Sequence, residues 1–416
     1  MASPIPYIPS EDGYNFTFES TISPTHFYFN GSGNDTMYCP QNLPSPPPVS
    51  VFLWALVFGA MIVIATVGNI IVLWIVLAHH RMRTVTNYFI VNLALADAMN
   101  ATFNVLFPFT YMIYNDWYYG NVYCKIQRLI GPATVAASIF TLMSIGIDRY
   151  IAIVHPMRPR MSKLKAKSII CLVWFVSVAI NMPWLLYSRE YVLTCPDDSP
   201  DPLITRRICA TIWPDGSDYG AWYFWYSCAF MVVTYVVPLL AQAICYTIVG
   251  IKLWGSQAPG EASNRHKEQL KAKRKVVKML VIVVIIFAIC WLPIHVYFLL
   301  GRFYDLYSYK HAREIYMTFY WLAMSNSMYN PFIYCWLNDS FRMGFRKAFR
   351  WLPCINYSKE HWSKVLGSGY ARVTYIRRNN VSTIGNSVEV LGKHCDVSHA
   401  LNGHQTSEST QLDQAL

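Results

Sequence analysis

The chain has 416 residues, of which 54% are hydrophobic and only 14% are charged. Soluble domains carry charge on about a quarter of their residues, so this composition argues against a soluble protein. A large soluble helical protein, the alternative, would show an amphipathic period instead of helices apolar nearly all round. The net charge of +11 does not indicate nucleic-acid binding, because the basic residues fall in short segments beside long apolar stretches.

Seven apolar stretches are each long enough to cross a bilayer, because roughly 20 apolar residues span the hydrocarbon core as a helix. Only a helix satisfies all its own backbone hydrogen bonds there. The stretches are Val51–Ala78, Asn87–Tyr114, Val122–Val154, Ala166–Tyr187, Tyr223–Trp254, Val276–Leu300 and Ile315–Trp336. The sequence therefore predicts an all-α membrane protein, with a seven-transmembrane helix bundle over residues 51–338, an extracellular tail 1–50, a short amphipathic cytoplasmic helix 339–354 and a disordered cytoplasmic tail 355–416.

The charges beside these stretches predict the orientation. The first 50 residues contain no Lys or Arg, whereas basic residues follow the first, third and seventh stretches and precede the sixth. Positive residues stay cytoplasmic, so we expect a plasma-membrane protein with its N-terminus outside. Acceptor triplets for N-glycosylation begin at Asn15, Asn30 and Asn34, which agrees with an exterior tail. Such triplets also arise by chance, since Asn338 and Asn380 begin two on the predicted inside.

The cysteines divide by predicted compartment. Cys124 opens the third stretch on the outer side, Cys195 and Cys209 lie in the loop between the fourth and fifth, and Cys39 lies in the N-terminal tail. An oxidising exterior allows a disulfide, but these positions alone leave its connectivity open. Cys354 follows the amphipathic segment just inside the membrane, which favours palmitoylation; an unmodified thiol is the alternative.

Several polar residues lie within the apolar stretches, where they are costly and usually functional. Asp97 lies in the second stretch, Ser138 in the third, and Asn326 and Asn330 in the seventh. A buried carboxylate needs a counter-charge, a proton or hydrogen bonds. We expect these four residues to form a Na⁺ or proton site, with a network that only joins helices as the alternative. For Asn69 in the first stretch, we favour helix joining. No other cofactor is expected.

Three motifs are informative as a set. Asp148-Arg149-Tyr150 closes the third stretch on the cytoplasmic side, Cys290-Trp291-Leu292-Pro293 lies in the sixth, and Asn330-Pro331-Phe332-Ile333-Tyr334 lies in the seventh. With this set the chain resembles the rhodopsin-like family of G-protein-coupled receptors, from about Val51 to Cys354. The resemblance implies a heterotrimeric G protein, arrestin and receptor kinases as partners.

The resemblance also implies which residues carry activation. In the family, Arg149 pairs with Asp148 at rest and is freed when the sixth helix swings outward. Many members hold this arginine with an acid on the sixth helix, where this chain has Lys273, so we expect a weaker resting lock. The residues implied in activation and G-protein coupling are Asp148, Arg149, Tyr150, Tyr246, Trp291, Pro293, Asn330, Pro331 and Tyr334.

Longer runs narrow the resemblance. Trp117-Tyr118-Tyr119-Gly120, Val249–Trp254 and Ala272–Met279 look like tachykinin receptors. This implies an amidated peptide ligand, Gq-class coupling that raises calcium through phospholipase C, and a disulfide between Cys124 and Cys209. A neuropeptide Y-type receptor is the nearest alternative. A transporter would show an internal repeat, which we do not find; a membrane enzyme would need clustered ligands, whereas His295 is alone.

The peptide pocket can be carried over from the resemblance. Its residues are Asn104, Gln127, His295, Phe298, Tyr316 and Tyr320. Asn104 can bond an amide, and the rings can pack a Phe side chain.

Other pocket positions depart from the subfamily's mammalian members. Pro108, Gln127, Trp184 and Ser227 differ from them, and Trp213–Gly216 looks closer to invertebrate members, whose peptides often end in Arg-amide. No acidic side chain lies deep in the outer half, and burying a free carboxylate without a matched cation is costly. We therefore expect a neutral amidated C-terminus there. An adjacent arginine would meet acids at the rim, for example Glu314 or Asp305.

Overall fold

A computed structural model of the chain describes residues 47–114, 116–196, 203–216, 220–255, 264–304 and 311–351. Most of the predicted tail 1–50 lies outside the described residues, and so does the whole of the tail 355–416, including the unit Gly367–Leu416. Other predicted features outside them are Asn15, Asn30, Asn34, Cys39, Asp305 and Cys354, together with the side chain of Cys195.

The described part of the chain is a bundle of helices. They are α1 (Pro48–Ala78), α2 (Val85–Tyr114), α3 (Gly120–Val154), α4 (Lys163–Tyr187), α5 (Ala221–Gly255), α6 (Asn264–Phe303), α7 (Ala312–Leu337) and α8 (Asp339–Ala348), with a 3-10 turn at His80–Met82. α2 and α5 contain π-helical turns at Asn100–Val105 and Val232–Val236. By length and composition, six helices, α1 to α6, can cross a membrane. α7 is less apolar, because polar residues such as Asn326 and Asn330 interrupt it.

Three of the helices begin at a side-chain cap. The Thr84 hydroxyl accepts from Asn87 N at the start of α2, and the Ser162 hydroxyl accepts from Lys165 N at the start of α4. Asn338 lies between α7 and α8, where its side-chain oxygen accepts from the backbone of Ser340 and Phe341. Each cap satisfies a backbone N–H that the first helical turn leaves without a partner.

α6 begins at Asn264, well before the predicted start at Val276. Lys271, Lys273 and Lys275 are therefore on a helix and not in a loop. The physical reason is that residues 264–275 hold good helix formers and no Gly or Pro. Arg274 secures this extension, since its guanidinium donates to the Leu253 carbonyl at 3.2 and 2.8 Å and lies 5.4 Å from the Trp254 ring.

A two-stranded antiparallel sheet, absent from the sequence prediction, connects α4 to α5. β1 (Ser188–Pro196) pairs with β2 (Leu203–Thr211) in a register that places Glu190 opposite Cys209. The strands contain Val, Ile and Thr, residues that favour pleated structure. The hairpin is attached to the bundle where Arg207 N donates to Asp116 Oδ1 at 2.8 Å and Trp117 N donates to the Arg207 carbonyl at 2.8 Å.

α3 is the central helix and packs against α2, α4 and α5. α7 packs against α1 at a close crossing, where a Cβ on Gly68 would lie 3.0 Å from Pro331. Asn69 joins the same pair of helices, because its amide donates to the Ala65 carbonyl at 2.8 Å and to the Ser327 carbonyl at 2.9 Å. This contact is the helix-joining role expected for Asn69.

Candidate functional site

Asp97 is the centre of a polar cluster within the bundle. Its side chain is almost fully buried, at 1% exposure. Oδ1 accepts from the hydroxyls of Ser138 at 3.0 Å and Ser327 at 3.3 Å, and Oδ2 accepts from the Asn330 amide at 2.8 Å. One carboxylate therefore connects α2, α3 and α7. Among the described ion pairs, none involves Asp97.

The predicted cation set is brought together in part. Ser138 and Asn330 contact Asp97, whereas Asn326 is buried without a described hydrogen bond to it. Ser327, which sequence reasoning did not select, contacts Asp97 instead. Both Asn326 and Ser327 lie one helical turn before Asn330, so spacing could not choose between them. A carboxylate with two hydroxyl oxygens beside it offers the ligand type that hard cations take, so Asp97, Ser138 and Ser327 fit Na⁺.

A chain of hydrogen bonds runs outward from this cluster. The Asn100 amide donates to Ser327 Oγ at 3.1 Å, and the Asn104 amide donates to Asn100 Oδ1 at 2.9 Å. The Tyr320 hydroxyl then donates to the Asn104 carbonyl. Two predicted ligand residues, Asn104 and Tyr320, are thus connected to Asp97 through Asn100, which lies in the π-helical turn of α2 and which sequence reasoning missed.

The position of Asn104 depends on a glycine of α3. A Cβ on Gly131 would lie 2.3 Å from Asn104 Oδ1, far inside van der Waals contact. Any larger residue at position 131 would therefore displace the Asn104 side chain. Gly131 is a part of the site that has no sequence signal, because an isolated glycine in an apolar helix is otherwise unremarkable.

The predicted aromatic residues meet at the outer ends of α6 and α7. The Phe298 and Tyr316 ring centroids are 6.3 Å apart, and those of Tyr316 and Tyr320 are 5.9 Å apart in a stacked arrangement. His295 lies deeper, 5.9 Å from the Trp291 ring. These separations are in the range of favourable ring pairs, so Phe298, Tyr316 and Tyr320 form one connected ring cluster.

Gln127 and its neighbour Arg128 lie on α3 near the hairpin. Gln127 is buried, and no described hydrogen bond joins it to the other predicted ligand residues. Arg128 Nη2 donates to the Cys209 carbonyl at 2.6 Å, while its buried Nε has no hydrogen-bond partner among the described residues. Arg128 is also within electrostatic range of Tyr316 and Tyr320. Sequence reasoning overlooked this cation, although a charge inside an apolar stretch is itself a signal.

Near the C-terminal end of α3, Arg149 is held by its own neighbour and by α2. Its Nη2 lies 2.5 Å from Asp148 Oδ2 and also donates to the Thr86 hydroxyl. Thr86 in turn lies 3.5 Å from Asp148 Oδ2. Lys273 is exposed on α6 and has no described contact with Arg149. These contacts of Arg149 connect α3 to α2, through a threonine that the sequence analysis did not select.

The two tyrosines expected near the G-protein cleft both point into the bundle. Tyr246 is 9% exposed, and its hydroxyl lies 3.3 Å from the point where a Cβ on Gly146 would be. Tyr334 is 2% exposed, with its ring centroid 5.6 Å from that of Phe341 on α8. Pro293 and Pro331 lie inside α6 and α7, and Tyr150 contacts the His155 ring at 5.7 Å.

The predicted disulfide between Cys124 and Cys209 is confirmed. The two Cα atoms are 5.6 Å apart, and the bond ties β2 to the outer end of α3. Trp184, one of the departing pocket positions, lies in a ring cluster that joins α4 to α5. Its ring centroid is 5.5 Å from that of Trp213 and 5.9 Å from that of Tyr226.

Comparison with known proteins identifies the family. The family model described as "7 transmembrane receptor (rhodopsin family)" matches residues 68–334. The chain belongs to the rhodopsin family of seven-transmembrane receptors. It is therefore a multi-pass membrane protein, the seven-helix prediction is confirmed, and α7 is the seventh span. It is not an enzyme, and membership of a receptor family also removes the transporter alternative.

The relatives place the receptor in the tachykinin receptor subfamily. It is 42% identical over 368 residues to the neuromedin-K receptor of Cavia porcellus, which covers 88% of this chain and 80% of that relative. It is 44% identical to the tachykinin-like peptides receptor 99D of Drosophila melanogaster, over 75% of this chain and 60% of the relative. It is 45% identical to the substance-P receptor of Homo sapiens, over 74% of each chain. For the human neuromedin-K receptor the chain spans 64% of the relative's length.

Proposed function

We propose that the receptor binds a tachykinin-like amidated peptide at the outer end of its bundle and signals through a Gq-class G protein to phospholipase C and calcium. The observation that carries this proposal is the hydrogen-bond chain from Tyr320 and Asn104 through Asn100 and Ser327 to Asp97. Because Asn330 also donates to Asp97, this chain of hydrogen bonds connects the pocket to the Asn330–Tyr334 motif of α7.

The proposed roles divide along this path. Asn104, Gln127, His295, Phe298, Tyr316 and Tyr320 contact the peptide. Asp97, Ser138 and Asn330 hold Na⁺ with Ser327, while Asn326 lies beside them. Arg149 engages the G protein once Asp148 and Thr86 release it. Arrestin and receptor kinases then act on the cytoplasmic side.

We also propose the arrangement in the membrane. The N-terminal tail lies outside the plasma membrane and is glycosylated at Asn15, Asn30 and Asn34, the bundle spans 51–338, and Cys354 carries a palmitoyl anchor. The absence of Lys and Arg from the first 50 residues supports this orientation. Glycosidase treatment of the expressed receptor should lower its apparent mass, and an unchanged mass would contradict the proposed exterior tail.

The chemistry of the ligand end follows from Arg128. Its buried Nε–H lacks a described partner, so a peptide carbonyl that accepts from it would gain a charge-assisted hydrogen bond. A peptide arginine at the same depth would instead face a like charge. We therefore propose that a neutral residue precedes the C-terminal amide, and that an Arg-amide peptide binds less well.

The experiment is a calcium assay in transfected cells. The panel contains peptides matched except for their ends: Met-amide, Arg-amide and the free acid of each, with neuropeptide Y-type peptides as the competing class. The Met-amide peptide should be the most potent. Replacement of Arg128 by Gln should reduce the difference in potency between the Met-amide and Arg-amide peptides. A response to neuropeptide Y-type peptides alone would refute the proposed ligand class, and no calcium response despite measured binding would refute the Gq assignment.

A further inference from the structure

α1 and α8 enclose a groove at the cytoplasmic end of the bundle. The cavity is about 430 Å³ and is lined by apolar side chains of α1 and by basic residues at and just after the end of α8. The lining residues are Ile70, Ile71, Trp74, Lys347, Ala348 and Arg350. One wall is therefore apolar and faces the hydrocarbon region, and the other ends in two positive charges.

The position of α8 on α1 is fixed by close packing. Phe341 and Met343 are buried, at 0% and 3% exposure. A Cβ on Gly344 would lie 2.8 Å from the Ile75 side chain, so the two helices approach each other more closely than a larger residue would allow. The amphipathic α8 thus lies with its apolar face on the bundle, and the groove opens one turn beyond this contact.

Lys347 is held in place within the groove. Its Nζ donates to His79 Nε2 at 2.9 Å and lies 5.7 Å from the Trp74 ring centroid. Because Nε2 accepts, the ring proton is on Nδ1, which donates to the Ile75 carbonyl at 2.9 Å. Burial lowers the pKa of His79, the Ile75 hydrogen bond raises it, and the nearby Lys347 charge lowers it further. The ammonium is therefore oriented before any ligand arrives.

The acid of α8, Asp339, lies in its first turn, at the other end of the helix from the groove, and pairs with Lys275 and Arg342. Among the described residues that line the groove, none is acidic. Anionic headgroups of the cytoplasmic leaflet lie at this level of the membrane, and each nearby Lys or Arg contributes about 1 kcal/mol to their binding.

We propose that this groove binds one anionic phospholipid of the cytoplasmic leaflet. The phosphate lies against Lys347 and Arg350, and an acyl chain follows Ile70 and Ile71 along α1. The proposal does not depend on the identity of the peptide ligand. It requires the cytoplasmic placement of α8, which the basic residues of that segment support.

Native mass spectrometry of the full-length receptor provides the test. The receptor is mixed in detergent micelles with equal amounts of phosphatidylserine and phosphatidylcholine. After its release from the micelles, the bound copies of each lipid are counted. One phosphatidylserine should bind more tightly than the rest. Lys347→Gln and Arg350→Gln should each weaken it about fivefold, and the double variant about 30-fold. Arg346→Gln removes the same charge from the exposed face of α8, outside the groove, and should leave this first copy unchanged.

Three results would overturn the proposal. An equal loss of phosphatidylserine binding in Arg346→Gln would show that the binding depends on surface charge in general. Equal binding of phosphatidylcholine would remove the role of the two cations. Displacement by soluble glycerophosphoserine at the same concentration would show that the acyl chain makes no contact with α1. Peptide binding measured on each variant confirms folding, so a misfolded receptor is not mistaken for any of these outcomes.

Discussion

The outer and middle parts of the bundle are built from different interactions. In the outer part, Phe298, Tyr316 and Tyr320 meet through ring contacts about 6 Å between centroids. In the middle, Asp97 is held by three side-chain hydrogen bonds from two other helices. Ring contacts vary little in energy with small displacements, whereas a hydrogen bond weakens steeply with distance and angle.

This difference indicates separate tasks. A surface of rings can adapt to a peptide side chain with small shifts, so the outer part suits recognition. A buried polar cluster has few satisfactory arrangements, because each group without a partner costs about 1–3 kcal/mol. The middle of the bundle therefore suits a switch between two discrete states. Tyr320 belongs to both parts, since its ring stacks on Tyr316 and its hydroxyl bonds to Asn104.

The largest effect on signalling is expected from replacement of Arg149 on α3. Arg149→Ala removes the group that we propose contacts the G protein, and truncation of a residue that dominates an interface costs about 2–4 kcal/mol. Agonist-driven calcium release should fall by about 30-fold or more, with surface expression retained. Arg158→Ala, at an exposed position of the following loop, is the matched control. Full signalling by Arg149→Ala would refute the role.

A second variant breaks the polar cluster itself. Asp97→Asn keeps the size of the side chain but removes the charge that would attract Na⁺. Agonist affinity should depend on Na⁺ in the native receptor by about tenfold, a usual size for coupling between two sites. Radioligand competition with NaCl and with choline chloride should show that this dependence disappears in the variant. A native receptor insensitive to Na⁺ would leave Asp97 with a helix-joining role.

A pair of pocket variants tests whether Tyr320 couples the outer rings to the polar cluster. Tyr320→Phe removes one hydroxyl that donates to the Asn104 carbonyl, whereas no described hydrogen bond uses the Tyr316 hydroxyl. One neutral hydrogen bond is worth about 1 kcal/mol, so Tyr320→Phe should reduce agonist potency about fivefold. Tyr316→Phe should reduce potency less, because it keeps the ring that we propose contacts the peptide and breaks no described hydrogen bond. The same loss in both variants would mean that the hydrogen-bond chain does not reach the ligand.

The smallest effect is expected at an exposed ion pair. Lys275 of α6 lies 3.1 Å from Asp339 of α8, and an outward movement of α6 would separate them. Exposed pairs contribute about 0–1 kcal/mol, so Asp339→Asn should raise basal inositol phosphate production no more than about fivefold. Because Asp339 also pairs with Arg342, Arg342→Gln is the control and should leave basal signalling unchanged. Lower basal signalling in Asp339→Asn would contradict a restraining role.

The sequence was sufficient for the features that repeat along the chain or occur as motifs. Seven apolar stretches and the sign of their flanking charges predicted the bundle, and the resemblance identified the pair Cys124 and Cys209, which the structure contains. The boundaries were less accurate where helix-forming charged residues continue a helix beyond the membrane, as at the start of α6. Helix length there depends on local propensity and not on hydropathy.

The contacts of the site were harder to predict, because they depend on how helices rotate and cross. Thr86 and Ser327 are ordinary polar residues in the sequence, and only the packing of α2 on α3 and α7 brings them to Arg149 and Asp97. Gly131 matters because Asn104 occupies the space beside it. The hairpin was missed because β1 directly follows α4 and its alternating Val and Thr residues were included in the loop.

The length of α6 has a mechanical consequence. Pro293 divides this 40-residue helix unequally. At a rise of about 1.5 Å per residue, the arm from Asn264 to Pro293 is about 43 Å long and the arm from Pro293 to Phe303 about 15 Å. A helix that turns about this fulcrum acts as a lever with a ratio of about three, so a ligand that moves the outer arm by about 1 Å displaces the inner tip by about 3 Å. If α6 turns about Pro293 during the proposed activation, the length of its N-terminal arm determines how far the tip near Asn264 moves.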